Sequence, residues 1–136
     1  MRISVKLSQF VRDRAAQRCE YCHLPEIEDS VSFHLDHIIP KKHGGPTTAQ
    51  NLALSCSTCN RFKLDNVAGF EPDGGTLVRL FNPRNDQWNT HFDWNGAVLI
   101  GRTEIGKATI LVLNINHSWR FEQRSLLLRL SRFPQP

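Results

Sequence analysis

The sequence predicts an α+β domain built around a metal site, and three observations carry that prediction. Two Cys-x-x-Cys pairs are separated by a segment of alternating hydrophobicity, and the second half alternates apolar runs with turn-rich segments. A length of 136 residues fits one domain. We therefore expect a single domain over 1–136, divided into an N-terminal helix (1–18), a metal-stapled segment (19–66), and a small β layer with a closing helix (67–136).

Composition and charge narrow the classes of protein that are compatible with the chain. The sequence is 40% hydrophobic and 22% charged, which excludes a disordered or low-complexity protein. Its formal net charge of +4 suits a polyanionic partner. The N-terminal segment has no apolar stretch typical of a signal peptide, and no run approaches the ~18 residues of a membrane span. We expect a cytoplasmic protein without a membrane partner.

The elements of the first half follow from periodicity. Leu7, Phe10, Val11 and Ala15 recur at helical spacing, which predicts a helix over 7–17. Residues 31–36 alternate apolar and polar side chains and predict a half-buried strand. The segment "KKHGGPTT" has the chemistry of a loop, "NLALSC" predicts a second strand, and "STCNRFKLD" predicts a helix.

The second half is predicted to be mainly β structure. The segments "TLVRLF", "AVLIG" and "ATILVLNIN" predict strands, and "FNPRNDQWNTHFDWNG" predicts an aromatic-rich loop. The last segment, "SWRFEQRSLLLRLSRF", predicts a helix with Leu126, Leu127, Leu130 and Phe133 on one face and a solvated arginine face opposite. DNA contact through those arginines is the alternative. The aromatic residues of the loop could stack on a base, although packing in the core is favoured.

The four cysteines carry the strongest chemical signal. The two pairs, separated by 33 residues, are typical of a site in which four thiolates surround one tetrahedral ion. Four sulfur ligands complete the shell of Zn²⁺, so the ion would be structural. Disulfides, free thiols and an iron–sulfur cluster are the alternatives. The predicted zinc ligands are Cys19, Cys22, Cys56 and Cys59.

A second set of residues has the chemistry of phosphodiester hydrolysis. Asp36 and Asn60 offer hard oxygen ligands suited to Mg²⁺ or Mn²⁺. The adjacent His37 can take a proton from water near neutral pH. A zinc site that ties the first strand to the later helix would bring these three residues together.

These motifs resemble a known family. "HLDHIIPKKHGG", "NLALSC" and "CNRFK" are similar to the HNH endonucleases with a ββα-metal finger, in their zinc-stapled form, over about 19–65. The resemblance implies that His37 is the general base and that Asn51 braces the loop and orients His37. It also implies that Asp36 and Asn60 hold the catalytic metal, with Asn60 standing where the last His of the motif usually lies.

Five further residues are candidates for the site. His34 lies two residues before Asp36 and could reach the metal or the phosphate, or could serve in orientation or packing. Four basic side chains are candidates for contact with the DNA backbone, which positions a duplex without reading its sequence: Arg61, Lys63, Lys41 and Lys42. Of Arg61 and Lys63, one is expected to bind a phosphate and the other could be only solvated.

The function predicted from the sequence is hydrolysis of duplex or branched DNA to 5′-phosphate and 3′-hydroxyl ends, with structural Zn²⁺ and catalytic Mg²⁺ or Mn²⁺. Two alternatives stay open. One is a zinc-dependent module that binds nucleic acid without cutting it. The other is a nicking subunit of a restriction, mobile-element or phage system.

Overall fold

A computed structural model describes residues 3–133 of the chain. The predicted α+β class is confirmed, since short helices alternate with small antiparallel strand pairs. In chain order the elements are α1 (Val5–Arg14), β1 (His34–His37), β2 (Leu52–Ser55), α2 (Ser57–Lys63), β3 (Ala68–Phe70), β4 (Leu77–Arg79), α3 (Trp88–His91), β5 (Phe92–Asn95), β6 (Val98–Gly101), α4 (Glu104–Val112) and α5 (Ser118–Arg129).

The first helix begins and ends for local reasons. The Ser4 hydroxyl accepts a hydrogen bond from the Leu7 amide at 3.1 Å and caps the N-terminus. The helix ends three residues before the predicted end because Ala16 and Gln17 take left-handed backbone conformations, with φ of 54° and 59°. The buried Val11 holds α1 against the strands that follow.

Strands β1 and β2 with helix α2 form the ββα unit that positions the candidate site. The strands pair antiparallel, with Asp36 opposite Ala53 and His37 opposite Leu52. The first strand begins later than predicted, at His34. Strand β2 is buried along its whole length, so helix α2, which comes directly after it, begins in the centre of the fold.

The second half differs from the predicted β layer in two ways. It contains two separate hairpins, β3–β4 and β5–β6, which do not share a sheet within residues 3–133. The predicted aromatic loop contains α3 and β5, and the predicted strand "ATILVLNIN" is wrong because most of it lies in α4 and the turn that follows. Helix α4 starts at a cap in which the Thr103 hydroxyl accepts from the Gly106 amide at 3.0 Å.

Small side chains explain why α4 is helical despite its β-branched composition. Gly106 and Ala108 are buried on the face that packs against β6 and β3, and a Cβ at Gly106 would lie 2.1 Å from the His91 carbonyl oxygen. Thr109 donates to the Ile105 carbonyl and accepts from the Phe81 amide, so its hydroxyl is satisfied in the core. Tertiary packing therefore overrides the strand propensity of this segment.

Helix α5 differs from the prediction in which of its side chains are buried and which are exposed. Leu127 and Phe133 are buried as expected, but Leu126 and Leu130 are about half exposed. The predicted solvated arginine face is wrong for Arg120 and Arg124, which are 3% and 0% exposed. No helix within residues 3–133 combines the length and the hydrophobicity needed to cross a membrane.

Candidate functional site

The four cysteines meet at one buried point. Their sulfur atoms all lie within 4.8 Å of one another, and the Cys22 and Cys56 sulfurs are 3.7 Å apart. Zinc–sulfur bonds of about 2.3 Å in a tetrahedron place the sulfurs about 3.8 Å apart, whereas a disulfide requires about 2.05 Å. All four are free thiols. The cluster therefore fits a structural zinc site and does not fit disulfides.

Backbone amide groups donate hydrogen bonds to two of the cysteine sulfurs and so position them. The Cys56 sulfur caps α2 by accepting from the Cys59 amide at 3.3 Å, and the Cys19 sulfur accepts from the Cys22 amide at 3.5 Å. Hydrogen bonds from Cys19 and Cys22 hold the pKa of the Cys56 thiol well below its usual value. Burial raises the pKa of Cys19 well above its usual value. Four buried thiols with their sulfur atoms this close together are suited to a shared cation, which binds them in the deprotonated form.

An open cleft of about 480 Å³ lies on the ββα unit. Asp36, His37 and Asn60 line it together, so the structure brings the predicted metal ligands and the predicted base to one place. Lys41 and Lys42 are exposed and line the same cleft. Two lysines therefore make one wall of the cleft basic. The carboxylate of Asp36, the imidazole of His37 and the amide of Asn60 line the same cleft.

Within this cleft, the His37 side chain contacts a hydroxyl group from a neighbouring loop. Its Nε2 atom lies 2.8 Å from the Thr47 hydroxyl, in the loop between β1 and β2. Burial, with a contribution from the charge of Lys41, lowers the pKa of His37 below its usual value. An imidazole with a lowered pKa is neutral at physiological pH, which is the form that can accept a proton.

Asp36 is buried at the cleft, with 6% exposure. Its carboxylate accepts from the Tyr21 hydroxyl at 2.8 Å and forms an ion pair with the Lys63 ammonium at 3.1 Å. Burial raises the pKa of Asp36, and the positive charge of Lys63 opposes that shift. The lysine therefore favours the ionised carboxylate that a metal ligand requires.

Lys63 has a different place from the one predicted. A phosphate contact was expected, but the side chain is 2% exposed and its ammonium also donates to the carbonyls of His37 and Ile38, both at 3.1 Å. A buried ammonium with three acceptors is satisfied internally and does not reach DNA. It ties α2 to the end of β1, where the site lies.

Replacing Lys63 with Met should destabilise the protein by about 3–5 kcal/mol, because the change leaves the Asp36 carboxylate buried without its cation. Urea unfolding of the two proteins measures the difference. Arg61→Met on the same helix is the matched control, since Arg61 is exposed and should change stability by less than about 0.5 kcal/mol. Equal stability of Lys63→Met and the wild type would show that the ion pair does not hold this strand.

Asn51 joins the two ends of the segment from Ile39 to Pro46 through its side-chain amide. Its amide accepts from the Ile39 backbone amide at 2.9 Å and donates to the carbonyls of Ile39 and Pro46. Gly45 makes this closure possible, since a Cβ there would lie 1.7 Å from the Ile39 carbonyl oxygen. These bonds fix the backbone two residues after His37.

The remaining predicted residues, Arg61 and His34, are not among the residues that line the cleft. Arg61 is exposed, with its guanidinium 5.9 Å from the Phe62 ring centre. His34 is exposed at the start of β1. In the aromatic segment, His91 and Phe92 are buried, and Trp88 stacks on His23 and donates to the Tyr21 carbonyl. These contacts favour packing over base stacking.

Sequence reasoning missed two partners of the site. Thr47 reaches His37 from ten residues away, and Tyr21 reaches Asp36 from fifteen residues away. Neither residue has a distinctive spacing. Tyr21 lies between two cysteines of the cluster, so its proximity to the site follows only once the cluster is known to lie beside β1.

Comparisons with known proteins agree with this geometry. Residues 19–65 match the family model of the HNH endonucleases. The Septu protein PtuB of Bacillus thuringiensis is 27% identical to this chain over 113 residues, which is 82% of the chain and 41% of the relative. The chain thus spans about two fifths of that relative, and the likeness extends well beyond 19–65. No solved structure was found to match the chain.

Proposed function

We propose that this chain is a metal-dependent endonuclease that hydrolyses DNA phosphodiester bonds, and the match of residues 19–65 to the HNH endonuclease family model supports this. The observation that carries the proposal is the shared cleft of Asp36, His37 and Asn60. Nucleic-acid binding alone requires neither a partly buried imidazole nor a buried carboxylate beside it. The basic wall formed by Lys41 and Lys42 would attract the phosphate backbone.

His37 would act as the general base. If its Nε2–H donates to the Thr47 hydroxyl, the Nδ1 atom keeps the lone pair and would take a proton from a water molecule. The water oxygen then forms a bond to phosphorus, and the bond from phosphorus to the 3′ oxygen breaks. The departing 3′ oxygen gains a proton from solvent, so the products carry 5′-phosphate and 3′-hydroxyl ends.

Asp36 and Asn60 would hold a catalytic Mg²⁺ or Mn²⁺, since a carboxylate and an amide oxygen in one cleft fit a hard cation. When bound, such an ion polarises the phosphoryl group and stabilises negative charge on the leaving oxygen. Tyr21 and Lys63 would keep the Asp36 carboxylate oriented and ionised. Asn51 would fix the loop that carries Thr47, and His34 would serve only in orientation at the edge of the site.

The structural ion of the cysteine cluster is proposed to be Zn²⁺, which tetrahedral thiolate sites favour. Arg61, Lys41 and Lys42 would contact the DNA backbone. We also propose that 1–136 is one domain in which 67–136 complete the finger. Contacts between the halves support this, including the ion pair between Arg84 and Glu20 and the bond from the Trp88 indole to the Tyr21 carbonyl.

A nicking subunit of a larger system is compatible with the same site, and the likeness to a Septu protein supports placing the chain in a system of that name. A non-cleaving binding module is favoured by no contact described above. The two differ in whether any DNA form is cut in the presence of Mg²⁺ or Mn²⁺.

The chemistry of the product ends tests the proposed direction of attack. We expect the cut strand to accept ³²P at its 5′ end only after phosphatase treatment, and to be sealed by DNA ligase without prior repair. Both results require 5′-phosphate and 3′-hydroxyl ends. Ends that carry 3′-phosphate would mean that the 5′ oxygen departs, and the proposed placement of His37 and the metal would be wrong.

A further inference from the structure

A second cavity, the side cavity, borders the cleft that contains His37. Its volume is about 230 Å³, and it lies where the ββα unit meets the second half of the chain. Two chain segments pass from the cleft to the side cavity. His37 lines the cleft, and the next residue, Ile38, lines the side cavity. Asp65 lines the cleft, and the next residue, Asn66, lines the side cavity. A group held there is therefore close to the residues proposed to act on the phosphate.

Much of the side cavity is apolar. Leu80 and Phe81 are buried, and Ile39 is 39% exposed although its side chain is apolar. Nucleobases have flat faces that pack on aromatic and aliphatic side chains. The side cavity offers a surface of that kind, and the apolar side chains that line it are Ile38, Ile39, Val67, Leu80 and Phe81.

Three asparagine side chains also line the side cavity. Asn66 and Asn85 are exposed, and within residues 3–133 neither side-chain amide makes a hydrogen bond. The Asn82 oxygen accepts from the backbone amides of Arg84 and Asn85, at 2.8 and 3.3 Å, which leaves its Nδ2 hydrogens without a partner in the same part of the chain. An amide carries both a donor and an acceptor, as the edge of a base does. The polar groups of the side cavity are therefore suited to the edge of a base.

Contacts within the protein hold the walls of the side cavity in place. On one wall the Arg79 guanidinium pairs with both carboxylate oxygens of Asp86, at 2.6 and 2.9 Å, and Asp86 also accepts from the Asn82 backbone amide at 2.9 Å. On the other wall the Asn51 side chain bonds both the amide and the carbonyl of Ile39, each at 2.9 Å. A site that is formed in advance loses less conformational freedom when a ligand binds.

We propose that the side cavity binds one unpaired nucleobase of the bound DNA. The inference rests on the proposed function and narrows its substrate class. A paired base is stacked on its neighbours and bonded along its edge, so it enters a cavity only after it leaves the duplex. The preferred substrate is therefore DNA with an unpaired nucleotide near the scissile bond, as in a bulge, a branch or a single-stranded segment.

Equilibrium binding to bulged DNA tests the inference, with Ca²⁺ in place of Mg²⁺ so that affinity is measured without cleavage. One duplex carries a single-nucleotide bulge, and a second carries an abasic residue in the same bulge. The two share their backbone and differ only in the base. We expect the wild type to bind the first about 10–100-fold more tightly, since stacking of one base contributes on that order. Equal affinity for the two bulges would overturn the proposal.

Removal of two amides locates the contact. The double variant Asn66→Ala with Asn85→Ala should bind the bulged base about tenfold more weakly, because hydrogen bonds to its edge are lost. Its affinity for the abasic bulge and its salt slope should stay unchanged, since no phosphate contact is removed. Asn95→Ala, which removes an exposed amide from β5, is the matched control and should bind both bulges as the wild type does. A double variant that binds like the wild type, or weakens both bulges equally, would contradict a base in the side cavity.

Cleavage of the same DNAs in Mg²⁺ or Mn²⁺ separates this inference from the nuclease activity. A wild type that cuts DNA but binds the two bulges equally would overturn the base-binding role and leave the proposed function intact. A wild type that prefers the bulged base and cuts neither DNA would support the side cavity and contradict the nuclease. A folded wild type that binds neither DNA would overturn both.

Discussion

Replacing His37 with Ala should lower the rate of DNA cleavage by about 10²–10⁴-fold, because the change removes the group that accepts the proton of the attacking water. The imidazole lies in the cleft, 2.8 Å from Thr47, and within residues 3–133 no hydrogen bond joins it to the cysteine cluster. Its loss should therefore leave the fold and the structural zinc unchanged. Single-turnover cleavage of a labelled duplex measures the rate.

Binding measured in Ca²⁺ is the control for this prediction. His37→Ala should bind duplex DNA with nearly the wild-type affinity. Lys42→Ala or Arg61→Ala should weaken binding and reduce the salt slope by about one unit for each phosphate that the variant no longer neutralises. His37→Ala could instead lose as much DNA affinity as Lys42→Ala, with a cleavage rate that falls only in proportion to that loss. That result would mean that His37 serves in binding and not in proton transfer.

Replacing Cys59 with Ser should unfold the ββα unit, since the change removes one of four ligands from the centre that joins the segment before β1 to α2. Structural zinc contributes about 10–16 kcal/mol of apparent binding energy in small zinc fingers, which is comparable to the whole net stability of a typical domain, about 5–15 kcal/mol. Circular dichroism and thermal unfolding should show loss of the cooperative transition. Chelation of the wild type should have the same effect.

Thr58→Ser is the matched control, because Thr58 lies between two ligand cysteines and is itself only partly buried. It should retain about one zinc ion per chain and unfold as the wild type does. A Cys59→Ser protein with wild-type stability, or freshly purified wild type without metal, would contradict a structural centre at these four cysteines.

The cysteine cluster could be predicted from the sequence because its residues have a fixed chemical spacing. The two cysteine pairs predict one cluster because four thiolates fit one tetrahedral ion, and the structure places the sulfurs within 4.8 Å. Once that cluster exists, Asp36 and His37 must lie near Asn60, which directly follows the last cysteine. The cysteine cluster therefore predicts the cleft better than the secondary-structure propensities of these segments do.

Buried charges could not be predicted in the same way. The local pattern predicts accessible positions for Lys63 and Arg124, because long cations usually lie at the surface. For each of them at least one partner lies far along the chain: Asp36 is 27 residues before Lys63, and Ala97 is 27 residues before Arg124. A local window around Lys63 therefore does not contain the carboxylate that makes its burial favourable.

Helix α4 shows the same limit for secondary structure. Its run of apolar and β-branched residues has no periodicity that separates a strand from a buried helix. The Thr103 cap and the close approach of Gly106 to the His91 carbonyl favour the helix over a strand. The contact with His91 is tertiary, so it is absent from the local sequence signal.

The central claim is that this chain cuts DNA with a metal held by Asp36 and Asn60 and a proton accepted by His37. The most direct measurement is conversion of supercoiled plasmid by the zinc-loaded wild type in Mg²⁺, in Mn²⁺ and in a buffer without divalent metal, beside His37→Ala. We predict nicked or linear product only from the wild type with Mg²⁺ or Mn²⁺. Plasmid that stays supercoiled with both metals while bound to folded, zinc-loaded wild type would contradict the claim and favour a module that only binds nucleic acid.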